Sequence, residues 1–183
     1  MGNNNVPKGN MAAIRSALVA CAITAGLLAA GAVQAQTTQA DPDGNGLWFS
    51  LGLGHTWIGD PDNTAGDQSD GGTTAYTAVT FASDAVLRLR GLGFSYTSNT
   101  AVEQAVLVGA RFGKDQDWMA LVGYSKLDDV SETEDNTNGL ALELLYAPRG
   151  RGAFGFEAGL FGNFNDDHDF GGLLFGMRFG DLD

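Results

Sequence analysis

From residue 47 to residue 179 the hydrophobic positions recur every second residue, not every third or fourth. A period of two marks a strand with one apolar face, because successive side chains of a pleated strand point to opposite sides. Clusters of Gly, Asp and Asn interrupt the pattern and read as turns. Eight runs lie between them. The first, 47–58, reads "LWFSLGLGHTWI" and puts Leu47, Phe49, Leu51, Leu53 and Trp57 opposite Ser50, Gly52, Gly54 and Thr56. The others span 73–82, 85–97, 104–113, 118–127, 139–147, 153–164 and 170–179. No segment reads as an amphipathic helix. The connections run long, short, medium, short, long, short, medium, with a loop placed around Asn99. Long connections therefore gather at one end and tight turns at the other, as in an all-β, antiparallel, up-and-down barrel of eight strands.

The stretch "AVLRLRGLGFSY" decides which face is inside. One face of most runs carries large apolar side chains. The other carries Gly, Ala and Ser, with a few charges: Arg88, Arg90, Arg111, Glu143, Glu157 and Arg178. An eight-stranded barrel has an interior just wide enough for side chains, so small residues make room for a few long ones. A charge facing lipid near the midplane costs about 2–4 kcal/mol, so in a membrane the charged face must be the inner one. These six residues are expected to form a pairing network in the lumen that stabilises the barrel and is no transport path. Past Gly91 two readings stay open. A bulge there turns Leu92, Phe94 and Tyr96 outward, or strict alternation sends them into the lumen. The facing of the second run, "TTAYTAVTFA", is also undetermined.

Aromatic residues sit at the run ends. Phe112 and Trp118 flank one tight turn, Tyr146 and Phe154 flank the next, and Trp57 and Tyr124 lie at the opposite ends of their runs. Two such girdles are what a membrane-spanning barrel places at headgroup level.

Composition sharpens this picture. Charged residues make up 17% of the 183, below the roughly 25% of an average soluble domain. The formal net charge is −12 with no basic stripe, which excludes nucleic acid as a partner. The N-terminal segment carries Lys8 and Arg15, then the apolar run "ALVACAITAGLLAAGAV", then Val33-Gln34-Ala35. It reads as a secretory signal peptide, residues 1–35, cut after Ala35. Residues 36–45 form a polar leader and 46–183 the barrel. The single cysteine, Cys21, follows Leu18-Val19-Ala20 in a lipobox-like context, so a lipidated Cys21 is the alternative to cleavage after Ala35, and the apolar stretch before it is shorter than an ordinary h-region. With no other cysteine, the chain has no disulfide framework and no thiolate metal site.

With these features the chain resembles the small eight-stranded outer-membrane β-barrels of the OmpA/OmpX type. The resemblance is architectural and rests on no sequence motif. It implies a Gram-negative outer membrane, periplasmic termini and turns, and surface-exposed long loops. It implies outer-membrane lipid, lipopolysaccharide and the barrel assembly machinery as partners. Such barrels end in an aromatic residue. Here Phe179 is followed by Gly180, Asp181, Leu182 and Asp183, a departure from the pattern.

Candidate chemistry is sparse, and no cofactor is expected. His55, in "GLGHTW", lies near the loop end without the His-x-Ser arrangement of barrel lipases, so a lipid-modifying enzyme is the weaker reading. His168, in "NDDHD", lies beside Asp166, Asp167 and Asp169, at a spacing unlike an EF-hand loop. Asp60, Asp62, Asp67 and Asp70, and Asp128, Asp129, Glu132, Glu134 and Asp135, form acidic loops. They suit loose sharing of divalent cations at a lipopolysaccharide surface, though a solvated, self-repelling loop is the plainer reading. Gly46-Leu47-Trp48 resembles the Gly-x-Trp of lipocalins, which would make the chain a soluble periplasmic ligand-binding barrel turned inside out. The leading expectation is a non-enzymatic outer-membrane barrel with a structural or surface-interaction role.

Overall fold

The computed structural model describes residues 46–59, 70–83, 85–96, 99–129, 136–149, 153–165 and 169–180. The expected signal peptide, Cys21 and the leader lie outside these residues. So do Asp60, Asp62, Asp67, Glu132, Glu134, Asp135, Asp166, Asp167, His168 and the three residues after Gly180.

Eight strands follow in order: β1 (Gly46–Gly59), β2 (Asp70–Ala82), β3 (Val86–Tyr96), β4 (Asn99–Phe112), β5 (Trp118–Asp129), β6 (Asn136–Tyr146), β7 (Phe154–Asn165) and β8 (Asp169–Gly180). Each pairs antiparallel with the next, and β1 pairs with β8 from Trp48↔Gly180 to Gly59↔Asp169, closing the barrel. Closure satisfies the backbone groups that an open sheet would leave along its two edges. At the β4–β5 turn the chain reverses through Gly113, whose φ of +92° suits glycine, and the Gln116 amide donates to the Gly113 carbonyl at 3.2 Å.

The strands extend past the predicted runs, mostly at the loop end. Asn99 already pairs with Tyr96, so only residues 97 and 98 separate β3 from β4, where a loop around Asn99 was expected. Backbone pairing needs no apolar alternation, so polar residues continue the ladder above the apolar band. This brings Glu103 into β4 and turns it inward.

No bulge occurs at Gly91. It pairs with Thr77 on one side and Gln104 on the other, in unbroken register. Leu92 and Phe94 therefore point inward and are buried, which settles the open alternative in favour of strict alternation. In β2 the inward residues are Thr74, Tyr76, Ala78, Thr80 and Ala82. Room for such side chains comes from glycines elsewhere on the wall. A Cβ on Gly52 or Gly176 would fall on Tyr76, whose ring reaches across β1 and β8.

The interior is layered. At the end holding the short turns, Trp48, Val86, Leu107, Met119 and Leu145 form one apolar cluster. At the loop end, Tyr76, Leu92, Phe94, Phe161, Phe170 and Leu174 form another. An ionic band lies across the middle. The outer surface is apolar: Leu53, Val108, Val122, Leu142, Leu160 and Phe175 all stand exposed on it.

Candidate functional site

The ionic band begins with two alternate residues of β3. A two-residue repeat sends Arg88 and Arg90 to the same face, and in a closed barrel that face has no solvent. Each guanidinium is then stable only if carboxylates meet it. Arg88 donates to Glu157 at 2.7 Å and to Thr80 Oγ1 at 2.9 Å. Its Nε lies 3.2 Å from Glu143 Oε1, an ion-pair contact off the hydrogen-bond axis. Arg90 donates to Glu143 Oε2 at 2.9 Å, and its Nη2 reaches both oxygens of Glu103 at 2.9 and 3.0 Å. The result is an alternating chain, Glu103–Arg90–Glu143–Arg88–Glu157, drawn from β3, β4, β6 and β7.

The two terminal carboxylates have neutral donors. Ser50 and Tyr76 donate to Glu157 at 2.8 and 2.9 Å. Asn163 donates to Glu103 at 3.0 Å and to Ser125 Oγ at 2.5 Å. The Arg90 guanidinium also lies 5.2 Å from the centre of the Phe161 ring. Ions, hydroxyls and an amide from β1, β2, β3, β4, β5, β6 and β7 thus meet in one band. It ties together strands that are not neighbours in the sheet, which backbone hydrogen bonds cannot do.

Of the six charges expected in the lumen network, Arg88, Arg90, Glu143 and Glu157 belong to this chain. Arg111 and Arg178 do not. They sit at the turn end, each with its guanidinium carbon 5.3 Å from the Trp48 ring, and neither makes an ion pair among the described residues. Glu103 was missed because the fourth run was started one residue after it. Its signal was there, since Glu103 shares the parity of Leu107 and Arg111. Trp48, the tryptophan of the Gly-x-Trp, shares the parity of Ser50 and so faces inward.

The six expected girdle residues, Trp57, Phe112, Trp118, Tyr124, Tyr146 and Phe154, are all exposed on the outer wall. At the turn end aromatic residues form a belt of two groups. Phe112 stacks on Trp118 at 6.4 Å, Trp118 meets Tyr146 at 5.0 Å, and Phe154 meets Phe156 and Phe179 at 5.1 and 5.4 Å. Phe156 and Phe179 are members of that belt that the turn-flanking argument left out. At the loop end Tyr124 donates to Asn138 Oδ1 at 2.5 Å, and His55 packs edge-on against Trp57 at 4.9 Å.

No protein-family model matches the chain, and no curated protein matches it in sequence. Solved structures do match in shape. The Neisserial surface protein A (NspA) superposes with a TM-score of 0.53 at 12% identity, covering 73% of this chain and 96% of NspA. The likeness is one of fold. It agrees with the architectural resemblance to small eight-stranded outer-membrane barrels drawn from the strand pattern. Ail, the attachment invasion locus protein of Yersinia pestis, gives a TM-score of 0.49 at 16% identity, covering 74% of this chain and 99% of Ail.

Proposed function

We propose that the chain is a non-enzymatic barrel of the bacterial outer membrane, acting in envelope structure or in surface contact through its loops. The observation that carries this reading is the inversion of the two faces. Leu53, Phe156 and Phe175 are 64, 64 and 62% exposed, while Arg88, Glu103 and Arg178 are fully buried. Water rejects such an outer wall and lipid accepts it. The aromatic belt at the turn end fits an interfacial position. The fold shared with the Neisserial surface protein A agrees with this assignment.

The lipocalin-like alternative needs an apolar ligand chamber, and here the middle of the interior is filled by ion pairs. The enzyme alternative needs a base beside a nucleophile. His55 faces outward against Trp57 instead. A filled interior also argues against a solute pore. In this reading the interior band holds the barrel closed, the outer wall meets lipid, and the loops face outward to lipopolysaccharide and external partners.

The test is fractionation followed by gel electrophoresis of boiled and unboiled samples. The expected result is recovery with outer membranes and a mobility that changes on boiling. Recovery in the soluble periplasm, with one mobility under both conditions, would contradict it. Replacing His55 by Ala should leave lipid A and phospholipid profiles unchanged. An altered profile would revive the enzyme reading.

A further inference from the structure

The turn end of the barrel interior gathers two guanidiniums that form no ion pair among the described residues, and Asp117 at the mouth acts on both only at longer range. Arg178 comes from β8 and Arg111 from β4, and Trp48 of β1 lies against both guanidiniums. Arg178 is fully buried. Its Nε donates to the Phe156 carbonyl at 3.1 Å and its Nη2 to the Pro148 carbonyl, but its Nη1 meets no acceptor. Nε, Nη1 and Nη2 of Arg111 are all sequestered from solvent with no acceptor among the described residues, and so is Nε1 of Trp48. Among side chains of the described residues, the interior holds four guanidiniums against three carboxylates. All three carboxylates belong to the chain on Arg88 and Arg90. At the mouth, Asp117 accepts from the Arg149 amide at 3.1 Å, and the Arg149 guanidinium turns to Gln116 at 2.8 Å.

Buried guanidinium groups are ordinarily met by anionic or carbonyl oxygens, because leaving them unmet carries the full cost of desolvation. The contrast within one barrel is informative. Arg88 and Arg90 give both of their Nη atoms to carboxylate or hydroxyl oxygens, while Arg178 keeps Nη1 unmet and Arg111 meets no acceptor among the described residues. Arg111 as a residue remains part-exposed, which puts it beside the turn-end mouth, although its guanidinium nitrogens do not reach solvent.

We infer that Arg111, Arg178 and Trp48 form a binding site for an oxyanion of the phosphate type, entered from the turn end of the barrel. Guanidinium groups suit phosphate oxygens because their planar N–H forks match the spacing of those oxygens. The indole N–H adds a third donor, and the ring stacks against the cations to fix their planes. The phosphate belongs either to a free solute or to a phospholipid headgroup at the rim. The site is made wholly of described side chains and stands independently of the cellular role proposed above.

The test uses the folded full chain in non-ionic detergent micelles, with Trp57→Phe and Trp118→Phe leaving Trp48 as the reporter. Inorganic phosphate is titrated at constant ionic strength against chloride. Phosphatidylglycerol is titrated in mixed micelles against phosphatidylcholine. The expected result is a saturable change in Trp48 emission, weakened about tenfold or more by Arg111→Gln. A response to phosphatidylglycerol but not to inorganic phosphate assigns the oxyanion to a headgroup, and the reverse assigns it to a free solute. No response to either, or an equal response in Arg111→Gln, overturns the site. The unsubstituted chain gives a second readout: phosphate should raise its unfolding midpoint above that in chloride. Equal midpoints in the two salts, with phosphatidylglycerol also without effect, overturn the site as well.

Discussion

Arg88 of β3 and Glu157 of β7 meet at 2.7 Å across the middle of the barrel, both shut off from solvent. Their strands share no hydrogen bond in the sheet. The pair therefore acts as a cross-brace, joining opposite walls that backbone pairing links only around the circumference. Removing the Glu157 charge leaves Arg88 with the off-axis contact to Glu143 at 3.2 Å and takes the charged acceptor from Ser50 and Tyr76. Glu157→Gln is expected to destabilise the barrel by about 1–3 kcal/mol, read as a lowered midpoint for the unfolding-dependent gel shift. An unchanged midpoint would mean that Glu157 is not the acceptor of Arg88.

The glycines facing Tyr76 should be intolerant of a methyl group. A Cβ on Gly176 would fall on the Tyr76 hydroxyl and close to the Leu51 carbonyl at 2.8 Å. Gly176→Ala must displace the ring that donates to Glu157, at a cost of about 1–3 kcal/mol. Gly91 lies on the outer face, where an added Cβ would meet only Thr77 Oγ1 at 3.6 Å. Gly91→Ala should fall within about 0.5 kcal/mol of the parent. Parallel unfolding curves for the two variants check the contrast.

The outer wall should reject charge according to depth. Val108 lies midway along the apolar face of β4, between Phe112 and Gln104, and is exposed. Val108→Arg should cost about 2–4 kcal/mol in a bilayer, and Gln104→Arg at the edge of the band about 0–1 kcal/mol. Equal costs, measured by folding into vesicles, would remove the lipid from the account.

Burial should also divide the ion pairs by salt response. Lys126 and Asp128 pair at 3.0 Å on the outer rim with side chains 46 and 36% exposed. Lys126→Ala should change stability by less than about 1 kcal/mol, with the effect fading in high salt. The effect of Glu157→Gln should persist there, because its partners are sealed from the screening ions.

Much of this was legible in the residue pattern because a barrel wall obeys one local rule. Alternation identified eight strands and put Arg88, Arg90, Glu143 and Glu157 on one side, because a period of two needs no knowledge of partners. It could not say which acid meets which base. Glu103, Glu143 and Glu157 converge on two arginines through the register of four strands, and register is a property of the closed sheet. Nor could it foresee that Arg111 and Arg178 turn to Trp48. Parity places all three inside, but their depth along the barrel sets them apart from the ion-pair chain that holds Glu103, Glu143 and Glu157. Glu103 was lost for a simpler reason. The apolar pattern fades before the backbone pairing ends, so hydrophobicity alone stopped the strand too early. The course past Gly91 was undecidable locally because a glycine permits either a bulge or a straight ladder, and the pairing with Thr77 and Gln104 chose the ladder.

The central claim is that the barrel carries its charges inside and its apolar wall toward lipid, and the three tryptophans test it directly. Trp48 is 1% exposed and lies inside, while Trp57 and Trp118 are each 41% exposed and lie outside. Three variants, each keeping one tryptophan with Phe at the other two positions, would be folded into vesicles containing lipids brominated along their acyl chains. The account predicts strong quenching of Trp57 and Trp118 emission and little quenching of Trp48. Quenching of Trp48 above the other two, or no quenching of any, would contradict it.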